Sequence, residues 1–249
     1  MINQQLAPSI LAPGRRVYAV GDVHGCADQL FELHALIARH LAEHPCPEPL
    51  LLHLGDYIDR GPASAEVVAR LSLGSPIRGV PTLNLMGNHE WMMLRALALG
   101  DEEDVRHWLS NGGDASLKSW KIPRTRKVPP REWGQFIPKE EIAFLRDLKP
   151  YHLIDGYVFV HAGLLPGIPL AEQRWHDLLW IREGFLDWDG PLLPEAPDLA
   201  AVHGHTPTPE PEQRANRIGV DTGAVGGGKL TCAVLEGSQV GFLEVRSRS

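Results

Sequence analysis

Five short segments join aspartate, asparagine or histidine to glycine: "GDVHG" (21–25), "GDYIDRG" (55–61), "GNHE" (87–90), "VHAGL" (160–164) and "VHGHTP" (202–207). Each follows an apolar run, where a buried strand should end. Residues two apart on extended backbone face the same side, which lets Asp22 and His24 reach one ion. Oxygen and imidazole donors without thiolate suit Mn2+, Fe or Zn2+. The motifs offer Asp22, His24, Asp56, Asn88, His161 and His205, more donors than one catalytic ion uses. Two ions about 3.5–4 Å apart, sharing a carboxylate, would engage them all and can hydrolyse phosphate esters. Ordinary turns also collect Gly, Asp and Asn, but they do not require histidine beside them so repeatedly.

Elements with the right period surround these motifs. "RRVYAV", "PLLLHL" and "VPTLNLM" read as strands; "ADQLFELHALIARHLAEH", "SAEVVARLSL" and "EWMMLRALAL" read as helices. Three repeats of strand, polar loop and helix predict a parallel sheet, with its ligand at the carboxyl ends of the strands. Residues 100–150 loosen into a mostly helical insertion or lid. Beyond them "GYVFVHAG", "LAAVHGHTP", "RIGVDTG", "LTCAVLE" and "VGFLEV" are strand-like, and the spacing of the last favours antiparallel pairing. The expected whole is an α/β sheet sandwich flanked by helices, a single domain over 1–249.

The chain has 249 residues, 43% hydrophobic and 22% charged, with a net charge of -7. That is a globular composition, and it argues against a general nucleic-acid binder. Neither a signal peptide nor a membrane-spanning run is legible, so the expected location is the cytoplasm. Cys26, Cys46 and Cys232 are too few and scattered for a disulfide framework or a thiolate zinc site.

The pattern GDxHG, GDxxDRG, GNHE, His-Ala-Gly and Gly-His-Thr-Pro resembles the calcineurin-like metallophosphoesterases of the phosphoprotein phosphatase (PPP) family. The nearest branch is bacterial and phage, with lambda protein phosphatase and the diadenosine tetraphosphate hydrolases. The resemblance implies a four-layer αββα fold and two divalent metal ions, Mn2+ foremost. It puts Asp22, His24 and Asp56 on the first ion, Asp56 bridging, and Asn88, His161 and His205 on the second. Arg60, and Arg182 in "LLWIRE", would grip the phosphoryl oxygens; His89, with Asp59 behind it, would meet the leaving group. A hydroxide bridging the metals would attack in line. "GVDTGAVGGGKLT" resembles the family's site-closing strand-turn-strand, with Asp221 structural and not a ligand. Eukaryotic members read Leu-Arg-Gly where this chain has Leu85, Met86 and Gly87, so one arginine contact is absent.

The implied activity is that of a serine/threonine or dual-specificity protein phosphatase. A dinucleoside polyphosphate hydrolase would use the same residues, and a metal- or phosphate-binding module without turnover is the third reading. No regulatory tail is expected after "VGFLEVRSRS". Outside the motifs, His34, His40, His44, His53, His107, His152 and His176 are read as surface or core residues, and His203 as the ambiguous one. The basic stretch Lys118 to Arg131, interleaved with Trp120 and Trp133, is either a solvated face or an attractor for an acidic phosphopeptide or a nucleotide.

Overall fold

Residues 3–123 and 128–247 are described by a computed structural model. Its strands are β1 (Gln5–Leu6), β2 (Arg15–Val20), β3 (Glu48–His53), β4 (Thr82–Asn84), β5 (Tyr151–Ile154), β6 (Tyr157–Val160), β7 (Ala200–His203), β8 (Glu212–Gln213), β9 (Arg217–Gly219), β10 (Lys229–Glu236) and β11 (Gln239–Arg246). The α-helices are α1 (Ala27–Glu43), α2 (Ser64–Ser72), α3 (Asn88–Leu99), α4 (Glu102–Trp108), α5 (Asp114–Ser119), α6 (Lys139–Asp147) and α7 (Trp175–Trp180).

Strand alternation sets the layers. In β2, Val17 and Ala19 face one side and Tyr18 and Val20 the other, all fully buried, because successive side chains on a strand point to opposite faces. One sheet runs β1-β11-β10-β2-β3-β4 and the other β5-β6-β7-β9-β8. Val17, Ala19, Leu52, Phe159, Val202 and Ile218 fill the space between them. The outer face of the first sheet packs under α1, α2 and α3, and that of the second under α7 and the irregular chain around Phe185 and Leu192. This is the expected helix-flanked sandwich.

Pairing in the first sheet is parallel for β2 with β3 and β3 with β4. In the second it is parallel for β6 with β7 and β7 with β9. Only β10 and β11 of the late runs form the expected antiparallel hairpin. All the parallel strands present their carboxyl ends to the same cleft.

Helix α3 begins at Asn88, two residues before the expected "EWMMLRALAL". Glu90 reaches back to accept from Gly87 N–H at 3.0 Å, a capping interaction that starts the helix earlier. Asn88 and His89 thereby enter its first turn.

The segment after Gly100 is helical, as expected, and is built into the core: Trp108, Leu117, Trp120, Trp133 and Leu145 share one cluster with the helices over the first sheet. This corrects one reading of the basic stretch. Trp120 and Trp133 are buried, Trp120 donating to Glu141 Oε2 at 2.7 Å, so neither offers a stacking face; they lie inward because the segment is amphipathic. Lys118, Lys121 and Arg131 are exposed; Arg124, Arg126 and Lys127 lie outside the described residues. Among the described residues no helix is long and apolar enough to cross a membrane.

Candidate metal centre and phosphate site

The site is assembled from sharp turns. His24, Asp56, Asp59, Arg60 and His205 all have φ between 44° and 72°, a left-handed region that non-glycine residues adopt at a cost of about 1–3 kcal/mol each. Among the described non-glycine residues only Lys121 and Asp155 share it. Side chains are packed against bare backbone here: a Cβ on Gly204 would lie 2.0 Å from Asp22 Oδ1, and one on Gly87 would lie 2.2 Å from Asp56 Oδ1.

Two groups of donor atoms share Asp56. His24, Asp56 and His89 form one, and Asp56, His161 and His205 the other, each with its ligand atoms within 4.8 Å of one another. Asp22 stands against the loop of the fifth motif, "VHGHTP", both its oxygens accepting from His205 N–H at 3.1 Å. Asn88 Oδ1 lies 2.9 Å from His161 Nε2 and 3.0 Å from His205 Nδ1.

The hydrogen bonds behind these donors test whether the residues fit cations. His24 Nδ1 donates to Ile58 O at 2.8 Å and His161 Nδ1 to Leu54 O at 3.0 Å, which turns each Nε2 lone pair toward the centre. There they meet Asp56, at 3.4 Å from His24 Nε2 to Oδ2 and 3.4 Å from His161 Nε2 to Oδ1. Acceptors therefore converge on acceptors. His205 Nε2 is buried without a hydrogen-bond partner. Such a nest of lone pairs is satisfied by divalent cations, and oxygen and imidazole donors match moderately hard ones; the residues fit.

The charges agree. Burial, then Asp221 and Asp56, push Asp22 well up, and burial pushes Asp221 to about 6. Clustered carboxylates of this kind need positive charge to stay ionised together.

Behind His89 stands a fully buried dyad. His89 Nδ1 lies 2.7 Å from Asp59 Oδ2. The same oxygen accepts from Trp108 Nε1 at 2.9 Å, and Asp59 Oδ1 accepts from Ser116 Oγ at 2.5 Å. Trp108 and Ser116 come from the helical insertion, and the sequence reading did not find them; nothing in "HWLSNGGDAS" marks a site. It also assigned nothing to Glu90, whose carboxylate accepts from the N–H groups of Asp56, Tyr57, Ile58 and Gly87. The capping spacing from Gly87 to Glu90 could have flagged it.

Arg60 and Arg182 are both exposed at the mouth. Arg60 Nη1 reaches His24 Nε2 at 2.9 Å, and its N–H donates to Gly112 O at 3.2 Å. Arg182 follows α7, and its charge is felt at His161, His205 and Asp221. The indole of Trp180 stands edge-on to His205, centroids 6.2 Å apart, with His176 and His107 against it. His203 belongs to neither donor group: its Nδ1 donates to Gly204 O, and Phe185 packs edge-on to its ring.

Comparison with known proteins follows the same line. The family model "Calcineurin-like phosphoesterase" matches residues 15–231. A serine/threonine-protein phosphatase 1 of Salmonella typhimurium is 31% identical, covering 89% of this chain and 93% of its own. An asymmetrical bis(5'-nucleosyl)-tetraphosphatase PrpE of Halalkalibacterium halodurans is 30% identical, covering 92% and 93%. Among solved structures, a putative diadenosine tetraphosphatase superposes with a TM-score of 0.64 at 22% identity, over 98% of this chain and 99% of that one. A match that takes in the motif loops and most of both sheets settles the kinship: the chain belongs to the calcineurin-like phosphoesterase family.

Proposed function

We propose that the protein is a phosphomonoesterase of the serine/threonine protein phosphatase type, working in the cytoplasm with two divalent cations, Mn2+ foremost. Asp22, His24 and Asp56 would hold one cation, and Asp56, Asn88, His161 and His205 the other. When bound, such cations supply Lewis acidity toward the phosphoryl oxygens and make water acidic enough to act as a nucleophile near neutral pH. The chain's own residues do the rest. Arg60 and Arg182 offer planar forks to the phosphoryl oxygens, and His89 Nε2 is the atom placed to give a proton to the departing oxygen. Asp59 fixes the ring by taking its Nδ1–H.

The observation that carries the reading is the His89–Asp59 pair at 2.7 Å. An alkoxide leaving from phosphoserine needs a proton, whereas a nucleotide leaving as a phosphate departs as a stable anion. A buried dyad held by Trp108 and Ser116 therefore supports alkyl phosphate substrates. The second reading, a dinucleoside polyphosphate hydrolase, is favoured by Trp180 and His176, aromatic faces within one ring of His205, on which a base could stack. With Mn2+ supplied, phosphoserine and phosphothreonine peptides should turn over faster than diadenosine tetraphosphate. The reverse order selects the second reading, and inactivity on both refutes the pair.

A further inference from the structure

The most deeply buried cation among the described residues lies away from the donor groups. Arg217, on β9, is 1% exposed, a placement arginine rarely takes unless its donors are matched. Here they are matched to backbone. Its Nη1 donates to Trp188 O at 3.0 Å and its Nη2 to Leu186 O, while Nε faces Glu212 Oε2 at 3.4 Å. The adjoining Asn216 donates to Trp188 O at 2.8 Å and to Gly190 O at 2.9 Å. Two consecutive side chains thus hold three alternate carbonyls of one loop.

That loop carries Arg182. Phe185 N–H and Leu186 N–H both donate to Arg182 O, at 3.2 and 2.9 Å, so the turn that presents the guanidinium is closed by the residues the clamp holds. Phe185 is wedged between the two motif strands: a Cβ on Gly163 would lie 2.4 Å from its ring, and its ring stands edge-on to His203 at 5.0 Å. The Arg217 guanidinium lies 5.8 Å from the same ring. Strand β9 pairs with β7, which ends at His203 and leads to His205. Arg217 therefore ties the Arg182 turn to the strand that places a metal ligand.

We propose that Arg217, seconded by Asn216, is a positioning residue that sets the distance between Arg182 and the metal centre, and so tunes the grip on the phosphoryl group. The inference rests on the phosphate role proposed for Arg182. A side chain present only to fill space would be replaceable by methionine, which keeps an apolar volume there while Glu212 stays paired with Arg214. A clamp is not replaceable in that way, because the fork bridging two carbonyls is what holds the turn.

The test uses the Mn2+-loaded enzyme. Arg217→Met should raise KM for p-nitrophenyl phosphate and Ki for inorganic phosphate about 10-fold, as small misplacements of binding groups do. The expected change in kcat is under about 3-fold, with Mn2+ affinity by calorimetry unchanged. Arg217→Lys should recover part of the loss, and Arg182→Ala with Arg217→Met should be no worse than Arg182→Ala alone. Additive losses, or unchanged phosphate affinity in Arg217→Met where Arg182→Ala loses it, overturn the clamp while leaving the functional reading intact. An Arg182→Ala enzyme with normal phosphate affinity overturns both. If Arg217→Met does not fold, Asn216→Ala and Arg217→Lys carry the same comparison, with losses of about 3-fold expected.

Discussion

Asp59→Asn isolates the charge behind the proton donor. Asparagine can turn its oxygen toward His89 Nδ1 and Trp108 Nε1, and its amide toward Ser116 Oγ. Ser116 can then direct its own proton to Ser64 Oγ, 3.1 Å away. Geometry and packing survive, and only the carboxylate's negative charge is removed. Two unit charges about 4 Å apart interact by about 4 kcal/mol at an effective dielectric of about 20. At about 1.4 kcal/mol per decade, kcat should fall by about 10² to 10³ for a phosphoserine peptide, with Mn2+ affinity unchanged. The loss should shrink to about 10-fold or less for p-nitrophenyl phosphate, whose phenolate leaves readily without a proton. The assay is kcat on both substrates with Mn2+ saturating. Equal losses on the two, or loss of Mn2+ binding, would refute the assignment of Asp59 to the leaving-group step.

Glu90→Gln should lower stability by about 3–5 kcal/mol in denaturant unfolding and weaken Mn2+ binding. It turns two of four charged acceptances, each worth about 1.5–3 kcal/mol, into donor facing donor; unchanged stability would count against this. Arg60→Ala should raise KM at least about 10-fold with Mn2+ retained, and a calorimetric loss of metal instead would move Arg60 out of the phosphate role. A fourth prediction concerns pH. His53 Nδ1 donates to Asn84 Oδ1 and its Nε2 accepts from His34 Nε2, both at 2.9 Å, so both rings are neutral, and burial pushes them down to about 4 and about 2. Because the folded values lie below the unfolded value near 6.5, this stability is complete above about pH 6.5 and is lost as pH falls toward 4. The slope is up to about 1.4 kcal/mol per pH unit for each ring. His34→Gln should shallow the fall between pH 7 and pH 5 relative to the unaltered chain, and identical slopes would refute it.

What could be read in the sequence was what local spacing encodes. The strands before the motifs, their parallel order in the first half, and the donors Asp56, His161 and His205 sit beside their glycines, and a loop that must turn sharply next to charge announces itself. What long-range packing decides was hidden. Ser116 reaches Asp59 from 57 residues away and Trp108 from 49, and the insertion's tryptophans look like a basic-aromatic surface until tertiary burial turns them inward. Arg217 in "RIGVDTG" is one arginine among many, because sequence carries no mark for a charge held mainly by carbonyls. The start of α3 hangs on a smaller signal: Gly87 is the N-cap, and Glu90, three residues on, reaches back to it.

Strained turns persist only where their surroundings over-determine them, and the atoms that do so here are not themselves candidate ligands. Glu90 holds the N–H groups of Asp56, Tyr57 and Ile58. Ser64 and Ser116 accept from Asp59 N–H, and Gly112 O accepts from Arg60 N–H. His24 N–H donates to the backbone carbonyl of Asp56 at 2.8 Å, and for His205 the restraint is a side chain that is itself a ligand candidate, Asp22. The loop from Asp56 to Arg60 is thus fixed by protein bonds, so cations meet a preformed arrangement there and little backbone ordering accompanies their binding. The Asp22–His205 contact is different, since one carboxylate both holds the turn and faces the site. Asp56 does the same for the first turn of α3, its Oδ1 accepting from His89 N–H at 3.1 Å, so a cation held at either carboxylate would be coupled to backbone.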